Sequence, residues 1–274
     1  MMSNLSEKIL SYYQNRHEED RLNGDIGSLE RERTREIILS FLPEKPAVIA
    51  DVGAGPGEYS FWLSSLGHTV DLYDLTPRHI EVAQERNLKS PHKVRGIYLA
   101  DGRVLPSQSH VYDVTVIHGP LYHLSEEKDR LQVLREAGRV TGDDGVILCF
   151  AISHTASAIV GLQKGLIFEK NYYEMIENEI KTGHHLPPPN FPNLFVEGHF
   201  HRPGELEKEV SLAGLYPVVS LAVQGPAWLV PDFEKTWKDE EKRNLLLKVS
   251  RLLEHDTYNS PHFVVACAKS PGRK

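Results

Sequence analysis

The sequence predicts an α/β protein built on a doubly wound, mainly parallel sheet of seven strands, and three observations lead there. Apolar runs of strand length alternate with runs of helical period between residues 46 and 152. The first of these strands runs directly into a glycine-rich turn, and a last helix and strand close the chain. Such alternation places helices on both faces of a parallel sheet and ligands at the C-terminal ends of its strands.

Near the N-terminus Leu5, Ile9, Tyr12 and Tyr13 recur at helical spacing, and Glu18 to Leu22 lead into a glycine-containing turn. A second helix spans about 29–42, with Ile37, Ile38, Phe41 and Leu42 as its apolar side and Pro43 as its stop. The first strand, rich in β-branched residues, ends in Asp51, and Gly53, Gly55 and Gly57 follow at alternate positions. Glycine tolerates positive φ and has no Cβ, so a ligand can lie almost against such a turn, beside the N–H groups that open the next helix. That helix carries Phe61, Leu63 and Leu66 and stops at Gly67. The second strand, Thr69 to Asp74, also ends in an acid, and Thr76-Pro77 form a cap and first turn for a helix over 77–88. Strands follow at 93–99, 112–117 and 145–152, with a helix at 125–139.

Residues 153–202 break the alternation. Gly, Pro, His and aromatic residues crowd together from Gly183 to Pro192, which reads as a long irregular insertion. A helix near Pro203–Ala213, a strand near Tyr216–Val223, a helix with Leu245, Leu246, Val249, Leu252 and Leu253, and a strand over His262–Ala268 complete the sheet.

The turn discriminates between ligands. A dinucleotide fingerprint started at Gly53 needs glycine at position 58, where Glu58 stands, and Asp51 and Glu58 would face a pyrophosphate with two negative charges. S-adenosylmethionine has no phosphate and carries an ammonium and a sulfonium, so the acids suit it.

Asp51-x-Gly53-x-Gly55-x-Gly57 resembles the first motif of the class I S-adenosylmethionine-dependent methyltransferases. Asp74 stands where that family places the carboxylate that holds the ribose hydroxyls. Ala100-Asp101-Gly102-Arg103 with Leu105-Pro106 resembles the adenine-contacting segment, and Tyr112 to Ile117 the fourth strand. The resemblance covers roughly residues 46–150 and is similar to the ubiquinone and menaquinone biosynthesis enzymes and to many natural-product methyltransferases. It implies a Rossmann-like sheet with an antiparallel C-terminal strand, in one domain: an N-terminal helical lid (1–45), a cofactor-binding core (46–152), an acceptor-site insertion (153–202) and a C-terminal completion (203–274). The implied cofactor contacts are Asp51, Gly53, Ala54, Gly55 and Gly57 at the turn, Asp74 and Leu75 at the ribose, and Asp101, Gly102 and Arg103 at the adenine. Tyr13 on the lid and His118 after the fourth strand complete them.

In the segment His118-Gly119-Pro120-Leu121-Tyr122-His123-Leu124, His123 and His118 are the candidates for a base or an orienting group, because imidazole titrates near neutrality. Tyr122, Tyr172, Tyr173, His199 and His201 are expected to bind the acceptor, with Phe191 and Phe195 as aromatic walls. No metal is expected: His199 and His201 share a face in an extended segment, but no third ligand appears at a recognisable spacing.

Composition narrows the function further. The chain has 274 residues, 40% hydrophobic and 25% charged, with net charge −7 and its 31 basic residues spread thinly, so no nucleic-acid partner is expected. Cys149 and Cys267 lie in apolar strand-like runs and read as buried reduced thiols. Without a signal core or a membrane-length apolar run, a cytoplasmic monomer or homodimer is expected, one that converts S-adenosylmethionine to S-adenosylhomocysteine as it methylates a small-molecule acceptor. An NAD-dependent oxidoreductase and a non-catalytic S-adenosylmethionine-binding protein are the alternatives.

Overall fold

The computed structural model describes residues 9–13, 22, 24–191 and 194–271. Leu5, the acidic stretch from Glu18 and Pro192 therefore lie outside the described residues. Residues 9–13 are helical, with Ile9 buried.

Helix α1 (Asp25–Phe41) precedes β1 (Val48–Val52), α2 (Glu58–Ser65), β2 (Thr69–Asp74), α3 (Pro77–Lys89), β3 (Gly96–Leu99) and β4 (Tyr112–Ile117). A single turn, α4 (Pro120–His123), then leads to α5 (Glu127–Val140) and β5 (Thr141–Ile152). The sheet has seven strands in the order β3-β2-β1-β4-β5-β9-β8, where β8 is Tyr216–Ala222 and β9 is His262–Ala268. Strands β1 to β5 pair in parallel, and β9 runs antiparallel to both β5 and β8. Strand order reverses between β1 and β4, and the crevice beyond their C-terminal ends is where a doubly wound sheet binds ligands.

The core follows the two-residue period of the strands. In β5 and β9, Leu148, Phe150, Val264 and Ala266 face one layer, with Ile37 and Ile38 of α1 and Phe61 and Leu63 of α2. Ile147, Cys149, Ala151, Val265 and Cys267 face the other, against Val133, Leu134 and Ala137 of α5. Cys149 and Cys267 are free and buried, as their runs implied.

Residues 153–202 are more regular than expected, with the irregular part confined to the stretch after His185. They hold α6 (Ala156–Lys164), α7 (Lys170–Thr182) and a two-stranded antiparallel ribbon of β6 (His184–His185) and β7 (Gly198–His199). The helical spacing of Tyr172, Met175 and Ile176, which pack together with Glu179 on the buried side of α7, is what the crowd of prolines and histidines conceals. After it come α8 (Glu205–Leu212), β8, α9 (Phe233–Lys238), α10 (Glu240–Leu252) and β9. On α10 the buried residues are Leu247 and Ser250, and Leu245, Val249 and Leu252 are exposed. Among the described residues no helix is long and apolar enough to cross a membrane.

Candidate active site

The glycine turn is shaped by positive φ at Gly53 (74°), Gly55 (57°) and Gly57 (90°). It is tied to β2 by the N–H groups of Gly53 and Ala54, which donate to the carbonyl of Tyr73 at 2.8 and 3.2 Å. At Gly53 a Cβ would come within 2.5 Å of Pro120 Cδ, so the closeness of the turn to α4 excludes any side chain there.

Two carboxylates flank the turn in different states. Asp51 is wholly buried and does not line the cavity above the turn. Burial pushes its carboxyl up to about 7, although Ser60 Oγ donates to Oδ2 at 2.6 Å. Its Oδ1 has no hydrogen-bond partner among the described residues. Asp74 is also buried, yet its carboxyl is held below the usual carboxylate range. Burial alone would raise it, but His79 Nδ1 lies 3.0 Å from Oδ1, and the N–H groups of Thr76 and Gly55 each donate at 2.8 Å. Asp74 thus stays an anion, with acceptor capacity directed at the crevice.

One cavity gathers most of the residues singled out for the cofactor. Gly53, Ala54 and Gly55 form its floor, Asp74 and Leu75 one wall, and Asp101, Gly102 and Arg103 another. His118 and Tyr13 also line it, and Gly57, like Asp51, lies beneath the lining. Arg103 donates to Asp101 at 2.6 Å, which opposes the effect of burial and holds that carboxyl below its ordinary value.

Deeper in, His118 is clamped between two rings, Tyr59 at 4.7 Å and Phe150 at 4.2 Å, both nearly parallel to it. Its N–H donates to the Val52 carbonyl at 2.9 Å, which sets it at the strand end. His123 ends α4 in the same cavity, with Tyr13 Oη 3.0 Å from its Nε2 and the Phe195 ring stacked at 4.7 Å. Burial drives the His123 imidazole down to about 3, so it is neutral at physiological pH. Tyr122 also lines the cavity and donates its hydroxyl to the His118 carbonyl.

Four expected acceptor contacts lie elsewhere. Tyr172 is buried within the insertion and donates to the Ser157 carbonyl at 2.8 Å, and its neighbour Tyr173 points to solvent on the other side of α7. His199 and His201 do share a face, but it turns to α8, where they meet Glu205 and Glu209 at 3.0 and 3.2 Å. Phe191 packs on Tyr172, whereas Phe195 reaches His123 and Tyr122. The missed residue is His79: it sits one turn into α3, braces Asp74, and packs edge-on against Tyr13 at 4.9 Å. A histidine five residues after a ribose-type acid was the available signal.

Residues 49–145 match a family model described as a methyltransferase domain. No curated protein matches the chain in sequence. Among solved structures, a S-adenosylmethionine-dependent methyltransferase from Methanosarcina mazei superimposes with TM-score 0.61 at 16% identity, over 85% of this chain and 96% of that one. The magnesium protoporphyrin IX methyltransferase of Synechocystis, bound to S-adenosylhomocysteine, gives 0.58 at 12% identity, over 97% and 100%. The Burkholderia thailandensis 1,6-didemethyltoxoflavin N1-methyltransferase, with its acceptor and S-adenosylhomocysteine bound, gives 0.56 at 16%, over 97% and 87%. At these identities the likeness is one of fold. Residues 49–145 thus form a methyltransferase domain, in a chain that has the fold of the S-adenosylmethionine-dependent methyltransferases.

Proposed function

We propose that the acceptor is a small molecule, methylated at an oxygen, nitrogen or carbon nucleophile that lies against Tyr13, Tyr122 and His123. The observation that carries this reading is the single cavity that runs from Asp74 and Asp101 to those three side chains. A flat, partly apolar acceptor suits walls made of Tyr13, Tyr122 and His123, with Phe195 behind His123. Two structural neighbours bear the names of enzymes for small molecules, a toxoflavin precursor and a magnesium porphyrin. The net charge of −7 supplies no attraction to nucleic acid.

Within this reading the chain binds and orients. Bound S-adenosylmethionine supplies an electrophilic methyl group on sulfur. Asp74 would accept the ribose hydroxyls, Gly53 to Gly55 would leave room for the amino-acid tail, and Gly102 and Arg103 would flank the base. A methyl group offered in this way would need only to be held in line with the acceptor lone pair, so positioning by the chain would contribute most of the rate. A base for neutral pH wants a pKa near 7, and the buried His123 is far below that. We therefore assign His123, with the Tyr13 hydroxyl, the hydrogen bond that aligns the acceptor, and an acceptor proton passes to solvent.

The test is turnover to S-adenosylhomocysteine across phenols, quinols and amines, with calorimetry against NAD as control. Turnover confined to protein or nucleic-acid acceptors would overturn the small-molecule reading. His123→Gln separates the two roles: an aligning bond predicts a rate loss of about tenfold, the worth of roughly one hydrogen bond, with the pH profile kept. A loss of about 10²–10⁴ with an altered profile would assign proton transfer instead.

A further inference from the structure

His199 and His201 acquire in the fold what their spacing lacks, a carboxylate partner each. One nitrogen of each imidazole and one carboxylate oxygen of Glu209 all lie within 4.8 Å of one another, and the three residues are buried. Glu205, one turn earlier on α8, places Oε1 3.0 Å from His199 Nε2, and Glu209 Oε2 is 3.2 Å from His201 Nε2. A tetrahedron with metal–ligand bonds of about 2.0–2.1 Å has edges of roughly 3.3 Å, so the two histidine–carboxylate pairs already stand near that spacing and the pairs must draw together around the ion.

We propose that His199, His201, Glu205 and Glu209 form a structural site for a zinc-class dication that ties the β6–β7 ribbon to α8. Two further observations point to a ligand there. Among the described residues the two carboxylates have one guanidinium between them, Arg130 on Glu209, which leaves a negative charge for a dication to offset. Arg130 also grips Glu209 mainly by Oε1, at 2.6 and 3.0 Å, and so directs Oε2 at the histidines, as an outer-shell group orients a ligand.

The site has room and an entry. A Cβ at Gly183 would come 2.6 Å from His199 Cε1, so the glycine that ends α7 is what lets that ring sit here. The side chain of Glu205 is 32% exposed and opens the cluster to solvent on one side. The two-histidine, two-carboxylate set is closed, with nitrogen and oxygen donors and no position kept for a substrate, which marks a structural site.

The experiment uses the full chain without a polyhistidine tag. After chelator treatment and dialysis it is titrated with Zn²⁺ against a chromophoric competitor and melted with and without the metal, and Co²⁺ serves as a spectroscopic probe. The expected result is one equivalent of Zn²⁺, a raised melting temperature, and the visible bands of tetrahedral Co²⁺. His199→Gln should weaken Zn²⁺ binding at least 100-fold and abolish the bands. Glu205→Gln, at the half-exposed ligand, should weaken binding about 10-fold or more and still fold. A protein that binds no Zn²⁺ at micromolar concentration and melts alike with and without it overturns the proposal. So does Zn²⁺ or Co²⁺ binding that neither variant changes, since the metal then lies elsewhere.

Discussion

Asp51 and Asp74 lie at the ends of adjacent strands, yet they are tuned apart. Asp74 collects His79 and two backbone N–H groups and remains charged, whereas Asp51 has one hydroxyl donor and is raised to about 7 by burial. Replacing Asp74 by Ala removes a charged acceptor, so S-adenosylmethionine affinity measured by calorimetry should fall by about 1.5–3 kcal/mol. Unchanged affinity would remove Asp74 from the ribose site. For Asp51 the linkage has a definite sign. Its folded pKa lies above its unfolded value, so between pH 4 and 7 the folded state binds more protons, and this group's contribution is full at low pH and lost as pH rises towards 7. Asp51→Asn stays neutral throughout. Its stability relative to the parent should therefore improve with pH, by about 1.4 kcal/mol per unit across that window. Denaturant titrations at pH 5 and pH 7.5 check it, and a difference that does not change between them would contradict the burial-driven shift.

At the scale of elements, the three glycines of the turn do different work. Gly57 caps α2 at a φ of 90°, and a Cβ there would come 2.8 Å from Leu72 and 2.9 Å from Phe61, both in the core. Gly57→Ala should thus cost about 1–3 kcal/mol of stability, the scale of a strained backbone position, read as a lower denaturant midpoint. Gly55 lines the cavity and gives its N–H to Asp74. Gly55→Val should abolish cofactor binding in a protein that still folds, by calorimetry and circular dichroism together; normal binding would place the cofactor elsewhere. The insertion shows the same division. Its helix α7 buries Tyr172, Met175 and Ile176 in a small cluster of its own, whereas Phe195 reaches His123.

For the whole molecule, the N-terminal helix and the insertion meet over the crevice: Tyr12 and Phe195 lie 5.8 Å apart, and Tyr13 reaches His123. Both segments are additions to the seven-stranded scaffold, and Ile9, Tyr13 and Leu22 line the cavity with the cofactor residues. We propose that the two segments form a lid, which would expel water and align the reactants. Removal of residues 1–22 should therefore weaken S-adenosylmethionine binding and slow turnover, while circular dichroism shows the core still folded. A truncated protein with parental affinity and rate would make the helix mere packing.

Much of this was open to a reader of the chain, for reasons that differ by residue. The sequence by itself pointed to the seven strands and the antiparallel last one, through alternating apolar runs and the closing helix and strand, and to the proposed cofactor wall from Gly53 to Arg103, because those residues sit in local turns at strand ends. It also pointed to Tyr13 and His123. It left undecided which face of α7 is buried, so Tyr172 and Tyr173 were assigned to a pocket that neither lines. It did not single out the contact of His79 with Asp74, since that depends on how α3 enters. Only the tertiary structure turned His199 and His201 towards Glu205 and Glu209, because an extended H-x-H pair has a shared face but no intrinsic direction, and the packing of α8 against α5 supplies it.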